Sequence, residues 1–156
     1  MPKIVVYTSI IGGKDELRDD IKVFSEFAKF TDPVYNAKIY KVLPHKFLDC
    51  DISIWLDGNL SLKVPPEEMV DRFLGDADMA LFKHPHRESI HWEIKWIEYQ
   101  FRHRKDSPIL RDAKAQFEHY KSQGFPRKTG IYYCGFIIRR HNKLVEQFNE
   151  KWWAEI

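Results

Sequence analysis

Cysteine is scarce in this chain, with two residues, Cys50 and Cys134, in 156. Two thiols build neither a disulfide framework nor a cysteine-based zinc site. Both read as buried thiols in a reducing compartment, and the expected location is the cytoplasm. Long apolar runs are missing as well: nothing approaches the roughly 18 residues that a transmembrane helix needs. The start, Met1-Pro2-Lys3-Ile4-Val5-Val6, reads as the beginning of a short strand rather than a secretory leader. Charge of one sign is not in excess, since 25 Lys and Arg oppose 23 Asp and Glu and leave +2. No strong basic field therefore points to nucleic acid or an anionic membrane. The seven glycines form no Walker loop and no GxGxxG, and GxSxG and HExxH are also absent. No repeat, low-complexity segment or linker divides the chain, and its length suits one domain over residues 1–156. Apolar residues are plentiful at 44%, with five Trp, enough buried surface to offset chain entropy and exclude disorder.

Short β-branched runs alternate with helical periods. Lys3 to Ile10, Ile52 to Leu56, Asp78 to Phe82 and Ile131 to Ile138 read as buried strands that share one sheet. Asp20 to Phe27 fits either a strand or a short helix. Helical spacing appears in Asn36 to Leu43, from Pro66 to Gly75, through Ile90, Ile94, Ile97 and Phe101, and through Leu110, Ala113, Phe117 and Tyr120. Trp92, Trp96, Tyr99 and His103 run beside the third of these, so that helix is expected to lie between two layers, with both Trp in the core rather than serving as a sugar platform. The last helix carries Leu144, Phe148 and Trp152 on one stripe, and that stripe is expected to dock. Strand and helix in alternation give an α/β layered sheet.

Three strand ends carry chemistry. In Ile54-Trp55-Leu56-Asp57-Gly58-Asn59 a carboxylate follows a buried strand. That is where open α/β sheets bind ligands, and such an oxygen can hold a divalent cation. Asp-Gly is equally a common turn pair. His84-Pro85-His86-Arg87 is a polar surface loop, or an imidazole that joins Asp57 in a mixed O/N metal site with Arg87 as an anion grip. Arg139-Arg140-His141-Asn142 is a basic helix entry, or a phosphate grip with a further ligand. Glu93 lies between apolar stripes and needs a partner, for which Arg87 is suited; otherwise it is an acid/base or a sugar-hydroxyl ligand.

Together these motifs resemble the glycosyltransferase-like domain family of TOD/MUCI type, found in plant pectin- and mucilage-related proteins and in bacteria. The carrying residues are Tyr7 to Asp15, Ser53 to Leu60, the pair His84 and Arg87 with Glu93, Arg139 to Asn142, and Trp152 to Ile156. The resemblance implies a GT-A-like, Rossmann-like mixed and mostly parallel sheet flanked by helices. It implies a nucleotide diphosphate sugar as donor, Mn²⁺ (or Mg²⁺) as cofactor and a glycan acceptor as partner. Thr8, Gly12, Gly13 and Lys14 would then approach the nucleotide, with Arg87 and Arg139 on the diphosphate. Asp57 would match the metal-binding acidic motif, joined by Asn59, His84 and His141. Asn59 stands where a second carboxylate would complete Asp-x-Asp, and it brings less charge. Asp57 and Glu93 are the candidates for the catalytic base. On this reading Asp57→Asn abolishes Mn²⁺-dependent nucleotide binding.

Two other readings use the same residues. One is a metal-dependent, ceramidase-like amide hydrolase with a metal-activated water. The other is a catalytically idle nucleotide- or sugar-binding module. The family's domain continues into a polar Arg-Asp-Gln stretch beyond the point where this sequence ends at Ile156. The corresponding expectation is weak nucleotide binding with slow or undetectable transfer.

Overall fold

The apolar run after Lys3 forms β1 (Ile4–Ser9), and the ambiguous segment that follows supplies a three-residue strand, β2 (Lys22–Phe24). The computed structural model describes residues 1–13 and 15–156, and Lys14 lies outside the described residues. Helix α1 (Pro33–Val42) starts where Asp32 accepts from the Val34 and Tyr35 backbone N–H groups, with Pro33 in the first turn. Next comes β3 (Ile52–Leu56), buried at all five positions, as a strand covered on both faces must be. Helix α2 (Pro66–Met69) runs into a π turn at Val70–Leu74. Gly75 ends it at φ +50°, a conformation that suits glycine. After β4 (Met79–Lys83) come α3 (Ile90–Gln100), α4 (Pro108–Ser122), β5 (Tyr132–Arg140) and α5 (Lys143–Ala154).

The five strands form one sheet in the order β2-β1-β3-β5-β4. β1 pairs parallel with β2 and β3, and β3 pairs antiparallel with β5. This is the mixed, helix-flanked α/β sheet of Rossmann-like type that the sequence implies. Among the described residues no helix is long and apolar enough to cross a membrane.

The chain divides into two compact units, Met1–Leu81 with Cys134–Ile156, and Phe82–Tyr133. In the first, Ile52, Ile54, Leu56, Phe136 and Ile138 pack with Val70 and Leu74 on one face of the sheet. Tyr7, Trp55 and Ile137 pack with Leu48 on the other. Ile39, Tyr40, Val42 and Leu43 continue the apolar layer and meet the half-buried Trp152 and Trp153. Each such side chain, fully buried, contributes about 1.5–3 kcal/mol. Phe24 stacks on Tyr40 at 4.4 Å, so even the short β2 brings an aromatic anchor. Buried Asn36 fastens the approach to α1: its amide donates to the Phe30 and Asp32 carbonyls and accepts from the Lys29 and Phe30 N–H groups.

Helix α5 corrects the expected docking stripe. Leu144 and Phe148 are exposed, while Val145 and Asn149 are buried and Trp152 is half-buried. The docking face is thus the neighbouring stripe, whose middle member is polar. Asn149 is accommodated there beside His45, 3.4 Å from its Nδ1.

In the second unit α3 begins at Ser89, whose hydroxyl accepts from the Trp92 N–H. Ile94 and Leu110 are the buried positions of α3 and α4. The layered burial expected of α3 is not found. Trp92, Trp96 and Tyr99 are 59%, 43% and 55% exposed, each with a cation over its ring: Lys95, Arg87 and Arg102. The cysteines differ from expectation in degree: both are thiols outside any disulfide but only half-buried. Burial still raises both thiols, Cys50 to about 11, so they stay protonated and unreactive at neutral pH.

Candidate functional site

Parallel pairing of β1 and β3 brings the segment after Ser9 and the segment after Leu56 to one carboxyl edge of the sheet. Gly12 and Gly13 are exposed there at φ +79° and +63°, backbone that L side chains rarely adopt. On the neighbouring strand end, Asp57-Gly58-Asn59-Leu60 is a turn closed by the Leu60 N–H on the Asp57 carbonyl at 2.8 Å. The turn reading of Asp-Gly is therefore correct, and the turn also presents a side chain. Gly58 comes near enough to Ile10 that an added Cβ would stand 3.8 Å from it. Gly12, Gly13, Asp57 and Asn59 thus share this edge.

The Asp57 carboxylate is already engaged. Its Oδ1 accepts from the Trp55 indole N–H at 2.9 Å and from Lys41 Nζ at 3.1 Å. The ammonium also lies 5.3 Å from the centre of the Trp55 ring. Side chains on a helix lean toward its N-terminus, which carries the Lys41 stem up from the last turn of α1 toward the carboxyl edge. Arg18 joins the same edge: it pairs with Asp20 and donates to the Leu60 carbonyl. Neither cation carries a local signal in the sequence. Lys41 looks like an ordinary surface lysine, and only the position of the crossover helix brings it to Asp57.

Other expected site residues lie elsewhere. Thr8 is fully buried, with its hydroxyl inside the core, so it offers no surface to a nucleotide. Arg139 is 0% exposed. Its guanidinium donates to the Lys41 carbonyl at 2.7 Å and lies over Trp152, so the phosphate-grip reading fails: strand alternation turns Arg139 inward. Its neighbour Arg140 turns the other way and binds the Ala77 and Gly75 carbonyls. His141 follows the last pair of β3 with β5, where its N–H donates to the Asp51 carbonyl. Asp51 and Asp57 stand six positions apart along the strand, roughly 20 Å. His141 and Asp57 therefore cannot share a metal ion.

In the second unit Arg87 pairs with Glu93, as the sequence suggests for a half-buried carboxylate. His84 Nδ1 accepts from the His86 and Arg87 N–H groups, each at 3.1 Å. Its Nε2 then carries the proton in the neutral ring, which leaves no lone pair for a ligand. Burial, then the Arg87 charge, lowers the pKa of His84 and keeps the ring neutral. The set Asp57, Asn59, His84 and His141 does not fit a Mn²⁺ or Mg²⁺ centre. Among the described residues no three His, Cys, Asp or Glu side chains converge on a metal position.

The placement of His141 has a pH consequence. Burial, then the charges of His45 and Arg139, lowers its pKa, while Glu146 and Asp51 oppose the shift. The unfolded chain takes that proton near pH 6.5 and the folded chain only at lower pH. Stability is therefore fully present above about 6.5 and falls as the pH drops from there toward the folded value. Thermal melts at pH 7.0 and 5.5 should show this loss. A smaller loss is expected in His141→Asn, and equal losses in both proteins would assign the effect to other groups.

Comparison with known proteins gives the family. An alignment of 138 positions, which covers 81% of the chain, is 25% identical to the "Probable hexosyltransferase MUCI70" of Arabidopsis thaliana. The chain spans 23% of that protein's length. No solved structure matches. The family model of the TOD1/MUCI70 glycosyltransferase-like domain matches residues 21–156, a stretch that includes Lys41, Asp57 and the second unit and begins after the Gly12–Gly13 turn. The chain belongs to the TOD1/MUCI70 glycosyltransferase-like domain family.

Proposed function

We propose that the chain binds a nucleotide diphosphate sugar at the carboxyl edge of β1 and β3 and transfers the sugar to a glycan acceptor. The observation that carries this reading is the arrangement of the Gly12–Gly13 turn beside the Lys41–Asp57 pair on adjacent parallel strands. An exposed glycine backbone lets phosphates approach closely, and an ammonium beside it offsets their charge. In the transfer, an acceptor hydroxyl attacks the anomeric carbon, the bond to the diphosphate oxygen breaks, and Lys41 stabilises the charge that develops on that oxygen. Asp57, whose side chain is 38% exposed, takes the proton of the attacking hydroxyl. The cation in this scheme is Lys41, because the carboxylate that would hold a metal is held by Lys41 itself.

The hydrolase reading loses its basis, since it requires histidines and carboxylates around one metal-activated water and His141 lies far from Asp57. The idle module differs from the transferase only in turnover, so one experiment separates them. Thermal melts with UDP and GDP, with and without EDTA, come first, followed by transfer assays from the matching nucleotide sugars. At about 100 times Kd a ligand adds about 2.7 kcal/mol, or roughly 5–10 °C for a domain of this size. That shift is expected to survive EDTA. A shift that EDTA removes would restore the metal reading, and no shift with any nucleoside diphosphate would sink the donor site.

A further inference from the structure

The second unit contains a cavity of about 650 Å³, a volume that suits a ligand of two or three sugar rings. Four cations line it: Lys83 from β4, Lys95 from α3, and Arg127 and Lys128 from the loop before β5. Glu88 is the one carboxylate among the lining residues, so the wall is strongly positive. Among the described residues Lys83, Arg127 and Lys128 make no ion pair. Four like charges gathered around a single carboxylate repel one another, and an anion relieves that repulsion. Gly130, at φ +68°, brings the loop against Lys83, where an added Cβ would stand 3.7 Å from its stem. The cluster is thus held by β4, α3 and the loop together.

Two further features face the same space. Trp92 lines the cavity with its ring more than half exposed, and Lys95 lies over that ring at 5.2 Å. An exposed indole next to ammonium groups suits a ligand with a flat apolar face beside a charged one. His91 also lines it, and its Nδ1 is buried without a hydrogen-bond partner. The N-terminus of the 11-residue α3 lies here too, at Ser89, and adds the positive end of the helix dipole.

We propose that this cavity binds an anionic sugar, its ring on Trp92 and its carboxylate or phosphate oxygens on Lys95, Arg127 and Lys128. The charge follows from the cavity. The sugar rests on the glycosyltransferase-like reading of the chain. Either an acidic oligosaccharide or the ribose diphosphate of a nucleotide has this chemistry.

Titration calorimetry on the full chain tests it with three probes: a uronic-acid trisaccharide, a neutral trisaccharide of the same linkage, and UDP. The acidic sugar is expected to bind at least tenfold more tightly than the neutral one. Arg127→Ala/Lys128→Ala, two exposed loop positions that leave the fold intact, should cut that affinity at least tenfold. Trp92→Ala should weaken it as well, and Lys105→Ala, outside the cavity, should not. UDP binding that survives the double substitution leaves the donor at the β1–β3 edge and assigns the cavity to an acidic glycan. UDP binding that is lost in that variant makes the nucleotide the source of the anionic sugar, which supports the cavity and overturns the edge site. The proposal fails when neither anionic ligand loses affinity in the double variant, or when the neutral sugar binds as tightly as both anionic ligands.

Discussion

Lys41→Met is expected to weaken nucleoside diphosphate binding at least tenfold, whereas Asp57→Asn leaves binding unchanged or tighter and lowers turnover about 100-fold or more. The opposite signs follow from the pair itself. Lys41 Nζ and Asp57 Oδ1 stand 3.1 Å apart, with side chains 20% and 38% exposed. Removal of the ammonium leaves an uncompensated carboxylate facing the diphosphate, and removal of the carboxylate charge leaves an uncompensated cation there. A tenfold change corresponds to about 1.4 kcal/mol, modest for two charges at this separation near a protein surface. Methionine keeps most of the apolar stem beside Trp55, so the fold should persist, which circular dichroism and melting would verify. A metal-ligand role for Asp57 predicts the reverse, with binding abolished in Asp57→Asn. Calorimetry on the two variants decides between them. Equal, small effects from both would remove this edge from the donor site altogether.

Arg139→Ala should cost about 3–5 kcal/mol of stability, enough to lower the melting temperature by roughly 10 °C or more. The side chain is among the largest fully buried ones in the first unit. Its Nη1 donates to the Lys41 carbonyl, its guanidinium covers Trp152, and its charge acts on the Tyr7 phenol, whose pKa burial pushes well above the usual tyrosine value. Truncation therefore leaves a cavity between β5, α1 and α5, and the Lys41 carbonyl loses its closer donor, with the Tyr7 hydroxyl left at 3.5 Å. Arg139→Met separates packing from charge. It fills most of the volume and removes a desolvated cation, so its loss should be under about 1.5 kcal/mol. Nucleotide binding should be retained in Arg139→Met, because the side chain points into the core. Loss of nucleotide binding with normal stability would reinstate the phosphate grip. If Met and Ala are equally damaging, the charge rather than the packing is what this position requires.

How much could be read in advance depended on which faces are covered. KIVVYTSI, ISIWL and IYYCGFII are legible as strands because central strands are buried on both faces and so read as unbroken apolar runs. The β2 segment contributes three residues, too few for any period to show. In α5 the periodicity was right and the stripe was wrong. Leu144-Phe148-Trp152 is the more apolar row, yet Val145 and Asn149 of the neighbouring row are the buried positions, because neighbouring rows lie only about 100° apart and α1 decides which is covered. In α3 the apolar residues mark an aromatic surface under cations rather than an inner layer.

The sequence by itself determined the alternating α/β order, the strand ends that carry Gly12–Gly13 and Asp57, and the family. These depend on local composition and on residues close together in the chain. Tertiary structure alone decided what those strand ends can do. Lys41 meets Asp57 because α1 crosses between β1 and β3, and its side chain leans up toward their carboxyl edge. Arg139 faces inward and Arg140 outward because residues alternate along β5 and one face is covered by α1 and α5. His141 is separated from Asp57 because β5 runs antiparallel to β3, so a residue after the end of one strand lies beside the start of the other. Pairing direction and the choice of covered face are properties of contacts between distant segments, and a single sequence holds no local signal for either.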